Sequence, residues 1–319
     1  MKSNTRTVKY FDCQVSAHAI DKDTGAIDIP PRSMVDLLLN MKAHLLANPC
    51  HRSNRSRTET FHIADVQIDT AKNKAIILIN RSDRLAADQA ISDPSLAHFD
   101  VSAKQANEGN ASSAHVAINL KPVRGNTYVT LLEDSVGISS KDVCTLMGIV
   151  LRSSSKANKG FFYVNDASGD PALRRFSKYK FLLRGHLADS FEAELNAGKL
   201  SGIEISDFTK EDVAFDANAT AIEQKKVIYL KPKDKKHPVW DTVKSVCKTA
   251  DMQRFASVRV VYTDDANFTR KVELDARTLQ LVNEDRFVKK IRLNDFTVRL
   301  DTGFEAVQPE ITGKMFSLL

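Results

Sequence analysis

Residues 33–80 read SMVDLLLNMKAHLLANPCHRSNRSRTETFHIADVQIDTAKNKAIILIN, and two different periods meet inside them. In the first part Met34, Leu37, Leu38, Met41, Leu45 and Leu46 recur every three or four positions. That spacing lines one face of an α-helix. Pro30 and Pro31 stop what precedes it, Pro31 is suited to a first helical turn, and Asn48-Pro49 ends it. From Phe61 to Ile68 apolar and polar residues alternate, and Ala75–Asn80 is an apolar run. The Thr70–Lys74 segment between them predicts a hairpin.

Outward from this stretch the two patterns keep changing places. Thr7–Ala17 is β-branched and aromatic and reads as a strand, followed by a turn through Asp21–Gly25. Residues 82–114 are rich in Ala, Ser, Asn and Asp. They read as a mobile excursion over the surface, or as an irregular insertion packed at a subunit contact. Strands are expected at His115–Leu120 and Thr127–Leu132, then a helix carrying Val143, Leu146, Met147, Val150 and Leu151. Ser139 or Ser140 is its N-cap, with Asp142 in the favourable first turn.

The second half mixes strands (160–165, 178–184, 225–230, 257–263, 269–274 and 292–300) with helices at Leu187–Asn196 and Val239–Lys248. No repeat of solenoid length is visible. The irregular alternation predicts an α+β fold with mixed or antiparallel sheets and flanking helices, rather than a doubly wound parallel sheet. Ser153–Gly160 breaks the pattern. It places an N-terminal domain at 1–155 and a C-terminal one at 156–319.

The 319 residues are 42% hydrophobic, enough for a sizeable core, and carry 46 Lys+Arg against 40 Asp+Glu. No apolar run reaches the roughly 20 residues that span a bilayer, and the start lacks a signal-peptide core. Cys13, Cys50, Cys144 and Cys247 are unclustered, which fits buried or incidental thiols in a reducing, cytoplasmic setting. The net charge of +6 is unevenly laid out: residues 152–186 carry +6, 187–224 carry −7 and 225–319 carry +6.

Three basic segments follow from that layout. Arg52, Arg55 and Arg57 sit among serines before a strand, a loop chemistry suited to phosphates. Arg174, Arg175, Lys178 and Lys180 precede or occupy a strand whose alternation puts Lys178 and Lys180 on one face and Tyr179 and Phe181 on the other. Phe161, Phe162 and Tyr163 read as core more than as base-stacking platforms. Lys231, Lys233, Lys235 and Lys236 form a Pro-flanked run before a helix bearing Lys244 and Lys248, and Trp240 reads as a core anchor.

Enzyme signatures are absent. No two histidines have H-x-x-x-H spacing, no phosphate-binding glycine loop exists, and no G-x-S-x-G elbow is present. No catalytic residue, metal site or cofactor is therefore expected. Arg57 and His62 have a spacing used by helical ribonucleases but run into a strand. Glu192, Glu194, Glu204, Asp207 and Lys210 are a loose version of a carboxylate-plus-lysine nuclease set.

The leucine-rich helix Ser33–Leu46, the hairpin Phe61–Asn80, the run Val227-Ile-Tyr-Leu-Lys-Pro-Lys, the helix Val239–Lys248 and the hairpin Val258–Leu274 together resemble the RexA-like phage-exclusion proteins. More distantly they are similar to the KwaB-like DNA-binding proteins of anti-phage systems. The likeness covers about half the chain. It implies non-sequence-specific binding of double-stranded DNA by a bacterial, cytoplasmic homodimer in phage defence or exclusion. Two other readings stay open. One is a metal-dependent nuclease using the acidic residues of 187–212. The other is a protein-interaction or sensor subunit in which the acidic block meets a basic partner protein.

Overall fold

The computed structural model describes residues 4–21, 25–93, 95, 98–164, 175–197, 199–214, 222–231, 238–253, 255–263, 268–282 and 287–319. The chain opens with β1 (Arg6–Asp21), β2 (Gly25–Ile29), α1 (Met34–Ala47), β3 (His51–Ser53), β4 (Glu59–Asp69) and β5 (Lys74–Asp83). Next come β6 (Gln89–Asp93), β7 (His98–Ser102), β8 (Asn110–Asn119), β9 (Thr127–Glu133), α2 (Ser140–Ala157), α3 (Lys159–Phe162), β10 (Tyr163–Val164) and β11 (Arg175–Gly185). The remainder is α4 (Asp189–Ala197), β12 (Lys199–Ala214), β13 (Ile222–Leu230), α5 (Val239–Met252), β14 (Ser257–Thr263), β15 (Thr269–Asp275), β16 (Leu281–Val282), β17 (Lys290–Leu293) and α6 (Pro309–Ser317). The strands pair antiparallel, so the fold is α+β, as the alternating periods predict. Among the described residues no helix is long and apolar enough to cross a membrane.

The chain divides into residues 1–183 with 291–319, and residues 184–290. This differs from the boundary expected at 155/156. Ser153 and Ser154 do not break α2, because they lie in its last turns facing α1. There Ser154 Oγ donates to Asn40 Oδ1 at 2.5 Å, and Ser153 Oγ lies 3.0 Å from His44 Nε2. The helix stops at Ala157.

In the first unit the sheet order is β3-β4-β5-β8-β9-β1-β11. One face buries Val8, Ile76, Leu78, Ala117 and Leu131 against Leu293, Leu300, Val307, Ile311 and Met315 of the C-terminal segment. Tyr128 points to the opposite face, where its hydroxyl accepts from the Met34 amide at the start of α1. The sheet is thus covered by α1 on one side and by residues from the far end of the chain on the other. α2 begins with a capping box: Ser139 Oγ accepts from the Asp142 amide and the Asp142 carboxylate accepts from Ser139 N.

Several readings of the sequence change here. The stretch expected as a surface excursion over 82–114 contains the ends of β5 and β8 and a separate β6–β7 hairpin. The strand expected at 292–300 is only β17, ending at Leu293, and α6 follows. The 160–165 strand is a short helix, α3, running into the two residues of β10, and Asn165 lies outside the described residues.

The second unit orders its sheet β13-β12-β14-β15-β16. The acidic block 187–224 contains α4 and the 16 residues of β12, which is hydrogen-bonded to strands on both sides. Ile203 and Ile205 point inward from β12. Trp240 of α5 is the core anchor expected, buried edge-to-face against Phe191 at 5.7 Å. Cys13 and Cys247 are buried, Cys50 and Cys144 half-buried, and none of the four is in a disulfide. Burial pushes the Cys247 thiol up to about 12, so it is inert as a nucleophile near neutral pH.

Candidate functional site

The β3–β4 hairpin carries the first basic segment on a turn that is fully ordered by its own hydrogen bonds. Asn54 Oδ1 accepts from the amides of Thr58 (2.9 Å) and Glu59 (3.3 Å), and Asn54 Nδ2 donates to Thr58 Oγ1 at 2.9 Å. The Arg57 amide donates to Asn54 O at 3.1 Å. Glu59, at the base of the turn, is gripped by Arg81, which also reaches Asp83 at 2.7 Å. Gly137 packs against that guanidinium: a Cβ there would lie 2.5 Å from Arg81 Cζ. Arg57 itself sits at φ +57°, a left-handed backbone that costs a side-chain-bearing residue about 1 kcal/mol. Arg57→Gly is therefore expected to hold or raise thermal stability, by up to about 1 kcal/mol in a denaturant melt.

Strand alternation then sorts the three arginines. Arg52 turns away from its neighbours His51 and Ser53 and lies over the Phe61 ring at 5.4 Å. Its Nη1 donates to Asp142 Oδ1 at 2.7 Å. Burial acts to raise the Asp142 carboxyl, but hydrogen bonds from Ser139 and Arg52 outweigh it and hold the group below its ordinary 3.8. The stability this pair contributes is present above that value and is lost as pH falls through the depressed one. Arg52 is thus a strut between β3 and α2, whereas Arg55 and Arg57 are exposed.

On the other face the hairpin builds one wall of a cleft of about 900 Å³. His51 pairs in register with His62, and Ser53 with Thr60, so all four side chains look into the cleft. Lys42, Leu45, Leu46 and Pro49 close it from α1 and the loop after it, Asn80 and Arg84 from β5 and the loop beyond, and Glu305 from the C-terminal segment. His62 is held below the ordinary imidazole value by partial burial first and by the charge of His51 second. Lys42, Arg55, Arg57 and Arg84 form no ion pair with the described carboxylates, while Asp65 accepts from Gln67 Nε2 at 2.8 Å.

Sequence reasoning singled out Arg57 here but missed Lys42, His51 and Arg84 as its companions. The register of β3 on β4 puts His51 beside His62, while Lys42 and Arg84 come from α1 and the loop after β5, and a five-residue connection carries no simple signal for that register. Arg57 and His62 do share one site, on a strand platform rather than a helix.

The other expected site residues fall elsewhere. Lys178 and Lys180 are exposed on β11 with Phe181 buried, which is the alternation expected. Their strand is six places from β3 in the sheet, or roughly 29 Å at about 4.8 Å per strand, so the two basic segments do not converge. Arg175 lies in β11, and Arg174 lies outside the described residues. Lys231 is exposed at the end of β13 in the second unit, and Lys233, Lys235 and Lys236 lie outside the described residues. Phe162 is buried among Phe161, Phe176 and Tyr179, consistent with a core role.

The loose carboxylate set of the second unit is already engaged in part. Glu204 accepts from Arg259 Nη1 at 3.0 Å, and Glu194 from the Tyr262 hydroxyl at 2.9 Å. Among the described residues no group of three or more His, Cys, Asp or Glu side chains is placed to hold a metal ion. Neither a protein-family model nor a curated protein matches the chain.

Proposed function

We propose that the chain is a non-sequence-specific nucleic-acid-binding protein whose ligand is double-stranded DNA, acting as a homodimer in phage defence or exclusion. The observation that carries the binding is the pre-ordered turn of β3–β4, which leaves Arg55 and Arg57 exposed and unpaired with any described carboxylate. A rigid loop loses little entropy when it meets a phosphate, and guanidinium forks match phosphate oxygens in pairs. Lys178, Lys180 and Lys231 add exposed cations that read no base. The dimer and the role in defence rest on the resemblance to phage-exclusion and anti-phage proteins. The metal-dependent nuclease reading has less support, because the Glu194 and Glu204 carboxylates are already bonded to Tyr262 and Arg259.

Gel-shift titrations with closed-circular duplex DNA over a salt series test this. Affinity is expected to fall steeply as salt rises, because each neutralised phosphate releases condensed counterions. The double variant Arg55→Ala/Arg57→Ala is expected to flatten the log–log salt slope by roughly 2, at about 0.9 for each phosphate no longer neutralised. Arg52→Ala should leave the slope unchanged while lowering stability. Absence of binding at low salt would sink the reading.

A further inference from the structure

We propose that the cleft between the β3–β4 hairpin, α1 and the Glu305 loop is a site for the terminal phosphate of a nucleic-acid strand, a phosphomonoester dianion carried on its nucleotide. The inference deepens the nucleic-acid reading and rests on it for the identity of the carrier. Three observations converge. The cleft is concave and of about 900 Å³, within the range of small-ligand sites, so a nucleotide at a chain end enters it while the convex backbone of an uninterrupted duplex does not. Lys42, Arg57 and Arg84 reach it from three different parts of the chain, and none forms an ion pair with a described carboxylate. Ser53 and Thr60, whose hydroxyls lie 3.1 Å apart, supply neutral hydrogen-bonding groups, while Leu45, Leu46 and Pro49 give an apolar wall for a sugar or base.

His62, beside His51 on the cleft wall, favours a dianion there and sets the pH dependence. With His62 neutral, the three fixed cations face two carboxylates, Asp65 and Glu305, and the balance barely favours an anion. Protonating His62 shifts that balance further toward an anion. His62 resists protonation in the empty cleft because of partial burial and the neighbouring charge of His51. A phosphate placed beside the His62 ring offsets that penalty, so binding draws a proton onto His62. Affinity therefore falls as pH rises through the imidazole range. Below about pH 6 it falls again, as the phosphomonoester takes up its own proton.

The test is fluorescence anisotropy with the full chain and short labelled duplexes that differ only in their ends: 5′-phosphate, 3′-phosphate or hydroxyl. At about pH 6.5 one phosphorylated end is expected to bind about tenfold more tightly than the hydroxyl end, the size of one added set of charge-assisted hydrogen bonds. At about pH 8 the preference should shrink to roughly twofold. The double variant His51→Gln/His62→Gln should abolish it, and 5′-AMP, but not adenosine, should compete.

Equal affinity for phosphorylated and hydroxyl ends, with binding to closed circles intact, overturns this site and leaves the nucleic-acid reading standing. Failure to bind closed circles overturns that reading instead. Calorimetry with 5′-AMP against an adenosine blank then decides the cleft by itself: heat from 5′-AMP alone supports it, and heat from neither overturns it.

Discussion

A fragment ending at Leu183 is expected not to fold, although it contains every strand from β1 to β10 and most of β11. The reason is that one face of its sheet is covered by residues 291–319. Without them Ile76, Leu78, Ala117 and Leu131 lack Leu293, Leu300, Val307, Ile311 and Met315 as packing partners. Burying one such side chain is worth about 1.5–3 kcal/mol, so the five together roughly match the whole 5–15 kcal/mol that holds a typical domain. Backbone bonds go with them: Thr302 O no longer accepts from Ser113 N (2.9 Å), nor Phe304 O from Asn80 Nδ2 (2.8 Å). Near-ultraviolet circular dichroism with a thermal melt checks this. The fragment should show no cooperative transition, and joining 291–319 back through a flexible Gly/Ser linker in place of 184–290 should restore one. A cooperative melt of residues 1–183 alone would refute the discontinuous core.

That prediction also marks where the sequence was legible. The helix at 34–47 and the hairpin of β4 and β5 follow from period alone, since a leucine face and an alternating face each have one way to be buried. What could not be read is which distant segment covers the sheet. Leu293 ends β17, whereas Leu300 and Val307 lie outside helix and strand, so the strand pattern expected over 292–300 does not say which sheet face they cover. A local signal did exist for α6. Gln308 caps the Ile311 amide at 2.7 Å, Pro309 opens the first turn, and Ile311 and Met315 are four apart. The site shows the same division. Arg55 and Arg57 stand out in the sequence as charge. The cleft beside them depends on a strand register and on Glu305, some 240 positions away, and neither leaves a local trace.

Glu133→Gln is expected to be the most destabilising single exchange in the first unit, costing about 3–5 kcal/mol. Glu133 is fully buried and answers two groups at once. Its Oε1 lies 2.9 Å from Arg6 Nε, and its Oε2 lies 2.7 Å from His115 Nδ1 and accepts from the His115 amide at 3.1 Å. Because Nδ1 carries the proton toward Glu133, the other ring nitrogen of His115 is free to accept, and it takes the Gln308 amide at 3.0 Å. The chain of contacts thus runs from β1 through β9 and β8 to the start of α6.

A neutral glutamine keeps the shape but takes the Glu133 charge away from the Arg6 guanidinium, which is 2% exposed. At about 2–4 °C per kcal/mol for a unit of this size, the midpoint should drop by roughly 6–20 °C. His115→Leu should cost less, about 1–3 kcal/mol, because it removes hydrogen bonds without stranding the arginine. Urea melts of Glu133→Gln, Arg6→Met and the pair Arg6→Met/Glu133→Leu separate charge from packing. If the ion pair is needed chiefly because each half is intolerable alone, the double variant recovers most of the loss seen in either single one. Losses that simply add would show instead that Arg6 and Glu133 act independently, each through its own neighbours.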